Sequence, residues 1–194
     1  LFFGGTMIET ILIACIVLKI KHYKLRYIFY HWSFYPVLLT QGVLLFLQAS
    51  IFLQCYQFVS YVSVIQVAVI LSFIFPIFSF GLYKPAFWGC GTIVLGTLMN
   101  QFVIMQNGGK MPIFPSLSYL TGYVKPDMVT KLDSLHVLGN AATKFKFLTD
   151  YIDLGYSILS PGDLLIHFFS FLILYYAVKA VNLRYRQFAT QIKY

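Results

Sequence analysis

Asp150, Asp163 and His167 are the residues whose types and spacing could do chemistry. Asp163 and His167 are four apart, so on a helix they share a face one turn from each other. Asp150 lies thirteen residues before Asp163, enough chain to fold back beside it. Two neighbouring carboxylates cannot both ionise cheaply, so such a pair can share a proton and activate water. An Asp–His pair can fix an imidazole tautomer for acid–base work. The same residues have structural readings. Ser160-Pro161-Gly162-Asp163 is a helix start, with Ser160 as N-cap, Pro161 at the first position and Asp163 on the positive end of the dipole. His167 inside an apolar helix can simply bond to a neighbouring helix.

Candidate binding residues are Asn107, Gly108, Gly109, His136 and Asp153. Asn107-Gly108-Gly109 follows an apolar helix, where the glycines permit a left-handed cap or could present backbone N–H groups as an anion nest. Asp150 and Asp153 are three apart and could form a dyad or ligate a cation, or be two solvated acids on a loop. His136 has no second His or Cys at ligand spacing. No metal site and no cofactor is expected. Cys15, Cys55 and Cys90 are single and widely spaced, and give no redox argument.

These residues must be positioned by a membrane bundle. The chain is 59% hydrophobic, 19% aromatic and only 10% charged, where soluble domains carry about 25% charged residues. Its net charge of +8 does not point to nucleic acid, because the cations lie between and beside apolar segments. Leu1–Thr6 precede the first Met and read as extraneous residues left from expression, with Met7 as the natural start and residues 7–194 as one transmembrane domain. No basic region precedes the first apolar run, so no cleavable signal peptide is expected.

Five helices are expected, over about 8–20, 33–53, 61–82, 86–105 and 161–181. The first is short: thirteen residues cover about 20 Å of a roughly 30 Å hydrocarbon core. From Tyr27 to Tyr83, 57 residues contain no Asp, Glu, Lys or Arg; that length suits two spans, broken near Gln54–Gln57. Pro76 should kink the third helix. Gly89, Gly91 and Gly96 give the fourth a side open to close helix approach. Residues 106–160 hold no span-length apolar run. Within them Pro126–Phe145 reads as a short amphipathic helix, and Pro115-Ser116 could start another helical turn. Nine Lys and Arg, and no acid, lie in the loop around Lys19–Arg26, at Lys84 and in the tail from Lys179. Five of the six acids lie in 106–163. The positive-inside rule then places the N-terminus outside, the C-terminus in the cytoplasm and region 106–160 extracytoplasmic, in a multi-pass protein of the plasma membrane. The fold class is all-α, a polytopic membrane helix bundle.

Four apolar helices, Asn107-Gly108-Gly109-Lys110-Met111-Pro112, an irregular loop with His136, Leu148-Thr149-Asp150, then Ser160-Pro161-Gly162-Asp163 and a last helix together resemble a bacterial membrane family catalogued only as a domain of unknown function. The resemblance runs from Met7 to about Val181. It implies fold and membrane placement and supplies no activity. A second, local likeness is to lipoprotein signal peptidase, an intramembrane aspartic protease. Asp150-Tyr151-Ile152 and Gly162-Asp163-Leu164 look like its two aspartate motifs, although the Asn before the second Asp is absent here and the Asp–Asp spacing is shorter.

Three function classes follow. The first is a binding or accessory protein whose outer loop region caps the bundle and meets a membrane protein partner or a lipid-like ligand. The second is an intramembrane aspartate-dependent hydrolase using Asp150, Asp163 and His167 at the outer membrane–water interface. The third is a small transporter, which the lack of charge within helices two to four disfavours.

Overall fold

The computed structural model describes residues 7–53, 55–125 and 135–191. All five expected helices are present. In chain order they are α1 (Ile8–Ile20), α2 (Tyr35–Phe52), a third helix divided into α3 (Val62–Ser72) and α4 (Ile74–Phe80), α5 (Tyr83–Gln106) and α7 (Pro161–Gln191). Among the described residues four helical stretches are long and apolar enough to cross a membrane: Trp32–Phe52, Val62–Phe80, Tyr83–Gln106 and Pro161–Gln187. They expose large apolar side chains outward, among them Leu39, Phe46, Leu71, Phe78, Trp88 and Leu98, as helices facing lipid do and surfaces facing water rarely do.

The third helix breaks at Phe73, three residues before Pro76. Pro76 cannot donate to the carbonyl one turn back, that of Ser72, and its ring crowds that oxygen. The break therefore falls on the N-terminal side of the proline. Gly81 then ends α4 at φ +64, a left-handed cap open to glycine without strain.

α1 has 13 residues and does not reach spanning length. It runs in the same direction as α7: Ser170 Oγ donates to Met7 Sδ at one end, and Lys24 N donates to Asn182 Oδ1 at the other. The main core forms where α1, α2, α3 and α7 converge, around Leu18, Phe34, Val69, Phe73 and Ile173. α5 crosses α7 antiparallel in the most extensive helix–helix contact of the fold, with Gly96 against Gly162 and Gly89 against Phe169. Gly91, expected on the same packed side, faces open space.

The loop region departs from the all-helical expectation. β1 (Met111–Ile113) pairs in parallel with β2 (His136–Leu138), and Asp150 adds a bridge on Ile113. α6 (Leu117–Leu120) is the helical turn expected after Pro115-Ser116. β3 (Ile152–Asp153) and β4 (Ile158–Leu159) form a hairpin. The amphipathic helix expected over Pro126–Phe145 is not there from residue 135 onward: His136–Leu138 is a strand and 139–145 are turns. The segment His136–Leu138 takes the edge offered by β1 instead, with Met111 N donating to Leu135 O and Gly139 N to Ile113 O. Residues 126–134 of that expectation, with Asp127 and Asp133, lie outside the described residues. A second small core of Ile51, Ile113, Tyr123, Val124 and Ile158 joins this region to the end of α2. The hairpin turn also reaches α2 and α1: Gln48 donates to the Tyr156 carbonyl, and the Tyr156 phenol stands beside the Glu9 carboxylate. The loop region thus sits down over the short first helix.

Candidate functional site

Asp163 is held by a reciprocal cap. Its backbone N–H donates to Ser160 Oγ at 3.0 Å, and its Oδ2 accepts from Ser160 N at 3.0 Å. This is the capping box the sequence shows, with Asp in the acidic position. Asn100 of α5 completes it from across the helix pair. Its Nδ2 donates to Asp163 Oδ1 at 2.9 Å, and its Oδ1 accepts from Ser160 Oγ at 2.8 Å. Asn100, which the sequence marks only as a polar residue within a helix, is thus part of the site. Ser160→Ala removes two bonds at a fully buried position and strands Asn100 Oδ1. It should cost about 2 kcal/mol, read as a drop in thermal midpoint; an unchanged midpoint would show that the cap is dispensable.

Asp150 is brought together with His136, not with Asp153. The Asp150 Oδ2–His136 Nε2 distance is 3.5 Å, and both side chains are almost wholly buried. The Asn107–Pro112 motif supplies the frame. Met111 N donates to Leu135 O, placing β2, and Asp150 N donates to Pro112 O while Phe114 N donates to Asp150 O. β1 therefore clamps both partners. Asp150 Oδ1 is buried without a hydrogen bond from any of the described residues. Burial pushes the Asp150 carboxyl up to about 6, His136 pulls against that rise, and the negative charge of Asp163 adds to it. Asp163 is thus close enough for its charge to bear on Asp150.

Asp153 is fully employed elsewhere. It accepts from the backbone N–H groups of Ser116, Ser118 and Gly155 and from the Ser118 hydroxyl, and these bonds hold its carboxyl below the usual range although burial opposes them. It anchors α6 to the hairpin. Asn107 bonds Lys144 through both backbone groups and Val103 O one turn back. Gly108 and Gly109 take φ +68 and +82, and Gly109 N donates to Ile104 O. They form the left-handed helix end, the structural one of their two readings.

His167 is buried one turn along α7 from Asp163. The two share a cavity of about 310 Å³ between α2, α3, α5 and α7. Its polar lining also includes Ser63, Gln66 and Thr97, and its walls include Leu44, Val67, Ile70 and Ile166. A second cavity of about 230 Å³ adjoins His167 on the α1 side, lined by Thr10, Ile13 and Phe171. Ser63 and Gln66 carry no motif; only their spacing on one helix face could have marked them. Among the described residues no group of three or more His, Cys, Asp or Glu could hold a metal ion.

No curated protein and no solved structure matches the chain. One family model does, over residues 24–175, from the loop after α1 through about the first half of α7, so that both the Asn107–Pro112 frame and the Asp163 cap fall inside it. The chain belongs to that family, DUF5317, a family of unknown function.

Proposed function

We propose that the protein is a membrane-embedded binding protein, N-terminus outside and C-terminus cytoplasmic, whose loop region caps the outer end of the bundle over a site for one amphipathic, lipid-like molecule. The observation that carries this reading is the cavity shared by Asp163 and His167. Its size lies at the lower end of the range for small-ligand sites, and its mostly apolar walls with a few convergent polar groups match their usual make-up. Asp163 is fixed by Asn100 and Ser160, so it offers a rigid acceptor. A hydroxyl or amine head group would meet it, with the tail between α3 and α7.

The test is to fill the cavity. Ser63→Phe should lower photocrosslinking of a diazirine-bearing long-chain alcohol to α7 by about tenfold while the thermal midpoint stays put. Equal labelling of both proteins would remove the cavity as the site. The hydrolase reading is favoured by one observation, the raised Asp150 carboxyl under the influence of Asp163. Against it stand the burial of Asp150 and its pairing with His136, which leave a substrate little access.

A further inference from the structure

The other end of α1 carries a second site. We infer that the pocket formed by Lys19, Tyr23, Lys24 and Arg26 binds the phosphate head group of an anionic phospholipid of the inner leaflet, with an acyl chain lying along the outer face of α1. This rests on the membrane orientation proposed above.

The pocket measures about 410 Å³ and is lined by those four residues and Leu25. Three of its five lining residues are cations, and among the described residues none of them is ion-paired. Arg26 only leans on the Tyr27 ring, its guanidinium 5.5 Å from the centroid. Uncompensated cations at one point of a structured turn attract a phosphate, and a basic pocket on the cytoplasmic side is the setting in which lipid head groups are held.

The turn is built rather than loose. His22 takes φ +57, and the N–H groups of His22 and Tyr23 bond back to Lys19 O and Leu18 O. Those bonds occupy the last carbonyls of α1, blunting the negative helix end that would otherwise repel an anion. Asn182, buried on α7, accepts from Lys24 N at 2.8 Å and donates to Lys24 O at 3.2 Å. Tyr23 meets Tyr175 edge-on, and Tyr27 stacks on Tyr185 at 4.5 Å. The pocket is therefore pre-organised by α7, and little ordering remains to oppose binding.

The outward side of α1 gives the tail its place. Leu12, Ile13, Ile16 and Ile20 are all more than half exposed and run along the helix toward Lys19.

The experiment is titration of a fluorescent phosphatidylglycerol against the purified full chain in phosphatidylcholine nanodiscs. Lys19→Gln/Lys24→Gln/Arg26→Gln should weaken binding about 100-fold and Lys24→Gln alone about five-fold. Lys21→Gln and Lys84→Gln, cations outside the pocket, should change it less than about three-fold. Arg26→Lys, with its charge kept and its fold checked by thermal midpoint, should retain most binding. If Lys21→Gln or Lys84→Gln weakened binding as much as Lys24→Gln, the attraction would be a general surface field and the pocket would be refuted. Full competition by inorganic phosphate would mean that free phosphate, not a lipid, is recognised. The orientation is tested apart from the lipid. In a Cys15→Ser/Cys55→Ser/Cys90→Ser background, which removes the native thiols, an impermeant thiol reagent applied outside should label Leu120→Cys, at a highly exposed position, and not Gln187→Cys. Labelling of both would sink the orientation whatever the titration showed.

Discussion

A Gly162→Ala variant is expected to lose a large share of the stability of the bundle. The added methyl would run into Asn100 Oδ1 and lie 2.6 Å from the Gly96 carbonyl oxygen. Neither obstacle is a flexible side-chain end. One is backbone, and the other is an amide oxygen that already accepts from Ser160. Relief requires α5 and α7 to separate along their closest approach, which breaks the bonds from Asn100 to Asp163 and from Ser160 to Asn100. Overpacking of this kind costs about 1–3 kcal/mol, and each buried polar group left unsatisfied adds about 1–3 kcal/mol. A total of about 4 kcal/mol is a large share of the 5–15 kcal/mol by which domains are usually stable. Gly91→Ala, on the partner helix α5, is the control: nothing among the described residues lies within 4 Å of its added Cβ, so it should be neutral or slightly stabilising. Thermal unfolding in detergent separates the two. Equal midpoints for Gly162→Ala and Gly91→Ala would mean that the close contact at Gly96 and Gly162 is not what holds α5 on α7.

The helices were legible because lipid-length apolar runs announce themselves, and the Ser160–Asp163 cap because its four residues act within one turn. The partners across the fold were not. Asn100 reads as one more polar residue in a helix, and only the crossing of α5 and α7 brings it to Asp163. His136 and Asp150 are fourteen residues apart in sequence with no motif linking them; a parallel pairing with β1, itself only three residues long, places them together. A strand of that length gives too few positions for an alternation to stand out, which is also why Leu135–Leu138 read as helix. Gly91 was indistinguishable from Gly89 and Gly96 by type; the seven-residue spacing of the latter two, two turns on one face, was the signal available.

Asp150→Asn should make the protein more stable at neutral pH and remove a pH dependence that the native chain shows. The carboxyl ordinarily titrates near 3.8 and in the fold near 6, raised first by burial. Between those values the folded state holds a proton that the unfolded state has released, so native stability falls as pH rises through the window. Below about pH 4 the group is protonated in both states and exacts no penalty. Above about pH 6 the whole penalty applies, a rise of roughly two pH units being worth about 3 kcal/mol. Asparagine has the same shape, can still meet His136 with its oxygen, and never ionises. The stability difference between Asp150→Asn and the native chain should therefore be flat below pH 4 and grow in the variant's favour up to pH 6, with titrating groups that do not touch Asp150 cancelling in the comparison and His136, 3.5 Å away, the one that does not. Denaturation in detergent across that range measures it. A variant less stable than the native chain at pH 7.5 would mean that Asp150 stands ionised against a charged His136, and that the pair is a salt bridge whose attraction exceeds its burial cost. Binding of the long-chain alcohol probe should survive the substitution either way, because Asp150 is sealed beneath β1 and β2 while the cavity is lined by Asp163 and His167.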